Sequence, residues 1–377
     1  MTILGTRPEI IRLSRVMSRL DNLVEHIIVH TGQNYDYNLN EIFFNDLGVR
    51  KPDYFLSVNG GSLGKTLGNI LSKTEEVLMS EKPDSVLILG DTNSAFASIM
   101  ARRLHIPVYH MEAGNRSFDL NVPEETNRRL VDHISDFNLV YTEHARKHLL
   151  SEGLEHRRII LTGSPMREVL EHYRQQIKDS NILERLKLQR RKYLIASIHR
   201  EENVDQPERL RELIEGFSLI SEKFNMPLIL STHPRTAKRL ENFKIPIDSS
   251  IKLMDPFGFH EYNSLQLNSF CAISDSGTIA EESSILGFPA ITPRDAIERP
   301  EALDVGCLIQ TGINRYTMIN AIEAITNQFY TNEVGGFSNP IPEDYCINNT
   351  SERVVNLIIG TSRLSNSWDG IRSLPRS

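Results

Sequence analysis

The sequence predicts an α/β fold built on doubly wound parallel sheets. Short apolar runs alternate with segments of helical periodicity, and the alternation starts again after a polar stretch near the middle of the chain. Strand and helix in alternation indicate parallel sheets that are covered by helices on both faces. The expected strands cover residues 2–4, 26–30, 86–89, 108–111, 137–141 and 159–161 in the first half, and 193–197, 228–231, 251–253, 270–274 and 290–292 in the second. We therefore expect two sheets, one in each half.

The domain boundary is predicted near residue 170. The stretch Glu171–Lys192 is dense in charges and has no strand pattern, and a chain of 377 residues is long enough for two domains. We expect a first domain over residues 1–168 and a second over residues 169–350. Segment 351–377 begins with a helical pattern and can pack back on the first domain.

The composition argues against several classes of partner. A net charge of −7 gives no overall attraction to nucleic acid or to a membrane surface. No apolar run approaches the roughly 18 residues that span a bilayer. The three cysteines have neither metal-site nor disulfide spacing, which fits a reducing cytoplasm. We expect a cytoplasmic protein with no metal site, no nucleic-acid partner and no membrane partner.

Three carboxylates stand where strands end or helices begin. Asp91 and Glu112 directly follow two consecutive apolar runs, and Glu124 stands at the start of a helical segment. Ligands of open parallel sheets bind at the edge where strands end and helices begin. Acids at helix starts also complement the helix dipole, but that does not explain Asp91 and Glu112. We interpret the three acids as part of an active site.

A phosphate site is predicted at the first strand-to-helix turn, Gly5–Glu9. Glycine permits a sharp turn, proline suits the first helical position, and the helix N-terminus can face an anion. Arg7 and Arg12 then lie near that anion and bind phosphate. The alternative is an ordinary turn with surface arginines.

A second anion site is predicted in the second half. Ser276 and Thr278 follow a strand and open a helix, so their hydroxyls and backbone N–H groups can hold a diphosphate. Glu282, one turn further, is placed to accept hydrogen bonds from ribose hydroxyls. His199 follows another strand, where it can bind phosphate or assist proton transfer. The alternatives are a serine cap with dipole-compensating glutamates and a structural histidine.

The segment Asn59–Thr66 is similar to a nucleotide-binding P-loop. The first glycine of that motif is replaced by Asn59. This departure argues against a nucleoside triphosphatase.

Taken in order, these motifs resemble the non-hydrolysing UDP-N-acetylglucosamine 2-epimerase family. The matching segments are Gly5–Glu9, Gly90–Thr92, His110–Gly114, Pro123–Arg128, His199–Arg200, Asp275–Gly277, Glu281–Glu282 and Glu298–Glu301. The resemblance implies two Rossmann-like domains with the active site in a cleft between them, the GT-B arrangement, in a homodimer without a cofactor. It also implies a UDP-sugar substrate, from which UDP is eliminated across C1–C2 to give a glycal and then added back.

The resemblance also implies roles for individual residues. Asp91, Glu112 and Glu124 match the catalytic carboxylates, and Arg128 matches a substrate-binding position beside them. Arg299 would support the nucleotide and Tyr262 would lie near uracil, while Glu282 would take the ribose. The residues matched to the diphosphate region are Arg7, Arg12, His199, Ser276, Gly277 and Thr278.

Several departures favour one branch of the family. The segments Asn34–Tyr37 and Asn115–Asp119, together with Arg12 and Thr278, differ from the UDP-GlcNAc branch. They resemble the branch that converts UDP-2-acetamido-2,6-dideoxy-L-talose to UDP-N-acetyl-L-fucosamine for capsule or O-antigen. The alternatives are a UDP-N-acetylglucosamine 2-epimerase that gives UDP-N-acetylmannosamine, a glycosyltransferase of the same fold, a hydrolysing epimerase and a non-catalytic UDP-sugar sensor.

Overall fold

The computed structural model describes residues 1–32, 44, 46–336 and 339–371. These residues form two compact units. The first unit comprises Met1–Val169 together with the chain from Cys346 onward, and the second comprises Leu170–Tyr345. Segment Asn34–Tyr37, which the sequence comparison singled out, lies outside the described residues.

The first unit is built on a seven-stranded, fully parallel sheet of order β3-β2-β1-β4-β5-β6-β7. Its strands are β1 Thr2–Leu4, β2 Ile28–His30, β3 Tyr54–Phe55, β4 Val86–Leu89, β5 Val108–Met111, β6 Phe137–Val140 and β7 Ile159–Leu161. Its helices are α1 Arg7–Leu23, α2 Leu63–Glu81, α3 Ala97–Arg103, α4 Pro123–Ile134 and α5 Glu143–Ser151, with 3₁₀ turns at Asn93–Phe96 and His156–Arg158. Helix α6, Pro165–His172, continues the chain into the second unit.

The second unit is built on a six-stranded, fully parallel sheet of order β10-β9-β8-β11-β12-β13. Its strands are β8 Leu194–Ser197, β9 Leu228–Ser231, β10 Ile251–Met254, β11 Cys271–Ser274, β12 Ala290–Thr292 and β13 Ile309–Gln310. Its helices are α7 Arg174–Lys178, α8 Ile182–Arg185, α9 Glu201–Val204, α10 Pro207–Phe224, α11 Pro234–Asn242, α12 Phe259–Asn268, α13 Ile279–Leu286, α14 Glu301–Asp304 and α15 Arg315–Val334. The two parallel-sheet α/β domains confirm the predicted fold class.

The end of the chain returns to the first unit. Helices α16, Thr350–Thr361, and α17, Ser365–Trp368, follow a 3₁₀ turn at Glu343–Cys346, and α16 packs on α1. The Thr350 hydroxyl donates to the carbonyl oxygens of Thr162 and Ser164, each at 3.1 Å. This contact anchors α16 beside the end of β7.

Most central strands of the two sheets are buried along their whole length. Every residue of β1, β4, β5 and β6 is buried, as is every residue of β9 and β11. Parallel strands that are covered on both faces therefore appear in the sequence as continuous apolar runs. Among the described helices, none is both long enough and apolar enough to cross a membrane.

Candidate functional site

Asp91 and Glu112 lie side by side at the carboxyl ends of β4 and β5. The two strands are paired, and the Gly90 amide donates to the Met111 carbonyl at 2.9 Å. Gly90 has a φ of 71° and Glu112 a φ of 65°. A left-handed conformation costs a residue with a side chain about 1–2 kcal/mol. Glu112 adopts this conformation despite its side chain, and such local strain is typical of functional positions.

Each of these two acids forms an ion pair with an arginine. Arg12, from α1, pairs with Glu112, and Arg128, from α4, pairs with Asp91. Both guanidinium groups are buried, and Arg128 also donates to the Asn115 carbonyl at 3.2 Å. The opposite charges offset part of the cost of burying Glu112 and the two guanidinium groups. The structure therefore brings four of the predicted site residues into two adjacent pairs.

The remaining predicted residues of the first unit lie at helix starts. Glu124 is half-buried in the first turn of α4, the same helix that carries Arg128. Arg7 is the first residue of α1 and is half-buried. Arg12 pairs with Glu112, and its role toward phosphate stays a prediction.

Glu9 is a buried acid that sequence reasoning did not include among the site residues. Its carboxylate accepts from the Gly5 amide at 3.0 Å, from the Thr6 hydroxyl at 2.7 Å and from the Thr92 hydroxyl at 3.2 Å. Burial raises the pKa of Glu9 to about 7. The Thr-x-x-Glu spacing of a capping box was the available signal. Glu9 ties the turn after β1 to the turn after β4.

Asp275 holds His199 in the second unit. Its fully buried carboxylate accepts from the backbone amides of His199 and Arg200 and from the Asn203 side chain, all at 3.1 Å. The His199 Nδ1 atom also lies 3.1 Å from Asp275 Oδ1. Burial alone would raise the pKa of Asp275, but His199 and the hydrogen bonds outweigh it and lower the pKa to about 2. The imidazole is 39% exposed, so a ligand can reach it.

The loop Ser276–Thr278 precedes α13 and is half-buried. The hydroxyls of Ser276 and Thr278 lie 2.9 Å apart, and the Thr278 amide donates to Ser276 Oγ at 3.3 Å. Arg299 donates to the Gly277 carbonyl at 3.0 Å and pairs with Glu281. The arginine thus fixes this loop at the start of the helix.

Glu282 and Tyr262, the two residues predicted to contact the nucleoside, form hydrogen bonds within the second unit. Glu282 is buried and accepts from the Gln266 side chain at 2.9 Å. The Tyr262 hydroxyl bonds the side chains of Ser197 and Ser274, and burial raises its pKa. Their roles toward ribose and uracil stay predictions.

Within the described ranges, no group of three or more His, Cys, Asp and Glu residues is arranged to hold a metal ion.

Gly114, two residues after Glu112, allows a close approach of two elements. It has a φ of 78°, and a Cβ atom built on it would lie 2.4 Å from the Ala145 carbonyl oxygen. We expect Gly114→Ala to lower the free energy of unfolding by about 3 kcal/mol or more, since strain and overpacking add. Gly153→Ala is the control, because Gly153 has a φ of 86° with nothing within 4 Å, and should cost about 1 kcal/mol. Urea denaturation measures both, and equal losses would contradict the packing argument.

Comparisons with known proteins agree on one family. The family model described as UDP-N-acetylglucosamine 2-epimerase matches residues 18–359. The structure of UDP-N-acetylglucosamine 2-epimerase from Rickettsia bellii is 44% identical, with a TM-score of 0.89 and 97% of each chain covered. The UDP-GlcNAc 2-epimerase of Methanocaldococcus jannaschii, solved in complex with UDP-GlcNAc and UDP, is 37% identical, with a TM-score of 0.87 and coverage of 95% of this chain and 99% of that chain. The UDP-2,3-diacetamido-2,3-dideoxy-D-glucuronate 2-epimerase of Pseudomonas aeruginosa is 36% identical over 327 residues, which are 85% of this chain and 90% of the relative.

The likeness extends over nearly the whole chain. The matched residues 18–359 include elements of both sheets. The solved relatives cover at least 95% of this chain, in keeping with a GT-B type of fold. The chain is an isomerase and belongs to the UDP-N-acetylglucosamine 2-epimerase family.

Proposed function

We propose that this protein inverts C2 of a UDP-2-acetamido sugar by eliminating UDP and adding it back. The hydrogen on C2 is not acidic, so simple deprotonation would be very slow. In the elimination, a base removes the C2 proton, the C–H electron pair forms the C1=C2 double bond, and the C1–O bond breaks as UDP leaves. In the reverse step UDP adds to C1 and an acid delivers a proton to the opposite face of C2.

The observation that carries this proposal is the pair of acids at the ends of two neighbouring strands. Inversion needs a base on one face of the sugar and an acid on the other. Asp91 and Glu112 come from adjacent strands, each held by its own arginine, and Glu124 adds a third carboxylate from α4. An epimerase must exchange protons on both faces of the sugar, which accounts for more than one carboxylate at the site. The acceptor site of a glycosyltransferase needs only one base.

The second unit supplies the groups for the leaving UDP. The hydroxyls of Ser276 and Thr278, with the helix that follows, suit a diphosphate. His199 adds a partly exposed imidazole that can donate to phosphate. Support also comes from the Methanocaldococcus jannaschii relative, which was solved with UDP-GlcNAc and UDP.

The first substrate we assign is UDP-2-acetamido-2,6-dideoxy-L-talose, with UDP-N-acetyl-L-fucosamine as its product. Besides the sequence departures, the loop between Glu112 and Glu124 exposes two large apolar side chains, Phe118 at 68% and Leu120 at 77%. Apolar side chains suit the C6 methyl group of a 6-deoxy sugar better than a hydroxymethyl group. Such a product would serve the synthesis of a surface polysaccharide.

The second candidate substrate is UDP-N-acetylglucosamine, with UDP-N-acetylmannosamine as its product. The names of the Rickettsia bellii and Methanocaldococcus jannaschii relatives favour it. The two sugars differ in more than the C6 hydroxyl, because the L-talo and D-gluco rings also differ in configuration. A pocket shaped for one of them is therefore expected to prefer it strongly over the other.

Proton NMR in D2O tests the reaction and the substrate together. The purified protein is incubated with each UDP-sugar in parallel. We expect conversion of the talose sugar to its C2 epimer, with deuterium at C2 and the UDP linkage intact. Deuterium exchange with UDP-GlcNAc alone would retain the reaction and overturn the first substrate. Exchange with neither sugar would contradict the proposed function.

A further inference from the structure

His110 lies on β5, two residues before Glu112, and its side chain is fully buried. Its Nε2 atom is 2.9 Å from the carbonyl oxygen of Gly90, the residue directly before Asp91. A carbonyl oxygen only accepts, so Nε2 is the donor in this bond. The other ring nitrogen, Nδ1, lies 3.0 Å from Asp132 Oδ1. The imidazole therefore spans from the turn after β4 to helix α4.

Asp132 continues this connection to the turn after β5. Its carboxylate accepts from the Gly114 amide at 3.2 Å and from Arg116 at 2.7 Å. Gly114 is two residues after Glu112, and Asp132 is one helical turn after Arg128, the partner of Asp91. His110 and Asp132 together thus contact all three segments that carry Asp91, Glu112 and Glu124.

The turn that carries Glu112 needs an external restraint. Gly90, Glu112 and Gly114 all have positive φ angles, between 65° and 78°. Glycine adopts such angles freely, but Glu112 keeps this conformation only where surrounding contacts fix it. The buried pair of His110 and Asp132 supplies these contacts through hydrogen bonds to backbone atoms of two of the turns.

Packing alone is a weak explanation for this pair. The side chains of His110, Asp132 and Arg116 are all 0% exposed. Replacing buried charged groups with apolar side chains of similar volume is often neutral or stabilising. A polar connection that sets the positions of the acids gives the buried groups a function that apolar side chains would not supply.

We propose that His110 and Asp132 are positioning residues that fix the three acids relative to one another; this rests on the catalytic roles assigned to those acids in the proposed function. A misplacement of about 1 Å can cost 100-fold in rate. Loss of the connection should therefore lower kcat while leaving the binding of UDP in the second unit nearly unchanged.

Three variants at position 110 separate positioning from folding. The amide nitrogen of His110→Gln reaches the place of Nε2 and can still donate to Gly90, whereas His110→Asn reaches only the place of Nδ1, and His110→Leu places a polar atom at neither position. We expect kcat to fall by roughly 100-fold in the Asn and Leu variants. The Gln variant should recover to within roughly 10-fold of the unaltered protein, and the Kd for UDP should stay within about 3-fold in all of them.

Asp136→Asn is the matched control. Asp136 is buried and accepts from the Val108 amide at 2.9 Å, at the opposite end of the same strand β5. It should lose stability comparably, with kcat within about 3-fold of the unaltered protein. The inference is overturned if the Asn and Leu variants match this control in kcat, or if Gln recovers no more activity than Asn. If the Leu variant fails to fold, the comparison of kcat between the Gln and Asn variants still tests the inference.

The failure of this inference is distinct from failure of the proposed function. Deuterium incorporation by the unaltered protein reports on the function, and the ratio of kcat between the His110 variants reports on the positioning. An active protein whose kcat is insensitive to His110 would overturn only the positioning role.

Discussion

Asp91→Asn, Glu112→Gln and Glu124→Gln are each expected to lower turnover by roughly 100- to 10,000-fold, the usual contribution of a general acid or base. An amide has nearly the shape of a carboxylate but neither accepts nor delivers the proton at C2. The groups assigned to UDP, Ser276 and Thr278, belong to the second unit. The Kd for UDP should therefore stay within a few-fold.

Two of these substitutions should also reduce stability. Glu112→Gln removes the charge that faces the buried Arg12. Asp91→Asn removes the nearer of the two carboxylates beside Arg128, which keeps Glu125 at 3.9 Å. Removing one member of a buried pair costs about 3–5 kcal/mol. Circular dichroism must therefore show that each variant is folded at the assay temperature before its turnover is compared.

Glu143→Gln is the control for these three variants. Glu143 is also an acid in the first turn of a helix of the first unit, but its side chain is 45% exposed and pairs with Arg146. It should leave both turnover and the Kd for UDP unchanged. A collapse of UDP affinity in the Asp91, Glu112 or Glu124 variants would show that these acids bind the nucleotide and would contradict their assigned roles.

The sequence predicted the central strands within two residues at each end, and missed two edge strands. The predicted strands were continuous apolar runs, which is how strands buried on both faces appear. The missed strands, β3 and β13, have two residues each and are only partly buried. Their pairing depends on backbone hydrogen bonds to a neighbouring strand, so side-chain patterns carry no signal for them.

The positions of the acids were predictable from the sequence, but their partners were not. Asp91 and Glu112 follow apolar runs, and this local pattern is visible in the chain. Arg128 and Arg12 reach them from 37 and 100 residues away in sequence. Only the order of strands in the sheet brings such distant residues together, and no local spacing encodes it.

Asp275 shows the same limit in the second unit. Its place after β11 marks it as part of a motif, whereas the predicted diphosphate ligands Ser276 and Thr278 stand in the loop that follows. Its hydrogen bonds to His199, Arg200 and Asn203 span 72 to 76 residues. The acid that orients the predicted phosphate ligand His199 is therefore evident only from the folded chain.

Asp275→Asn is expected to weaken UDP binding by at least roughly 10-fold and to destabilise the second unit by about 2–4 kcal/mol. An asparagine oxygen in the place of Oδ2 can still accept from the His199 and Arg200 amides and from Asn203, but these hydrogen bonds lose their charge assistance, and bonds to a charged group are roughly twice as strong as neutral ones. The His199 ring also loses the charge that orients it. Titration calorimetry measures the affinity for UDP, and urea denaturation measures the stability.

The difference in the free energy of unfolding between the unaltered protein and Asp275→Asn should decrease as the pH falls. The pKa of Asp275 falls from its ordinary 3.8 to about 2 in the folded chain. A lowered pKa contributes stability above the unfolded value, and this contribution is lost as the pH falls toward the folded value. About 2–3 kcal/mol of the difference should therefore disappear between roughly pH 4 and pH 2.

Glu301→Gln is the control for the loss of UDP affinity. Glu301 is a buried acid of the same unit that accepts from the Tyr345 hydroxyl at 3.2 Å. Its loss should reduce stability without changing the Kd for UDP. If Glu301→Gln weakens UDP binding as much as Asp275→Asn does, the lost affinity reflects general destabilisation. The prediction that Asp275 supports UDP binding by orienting His199 is then wrong.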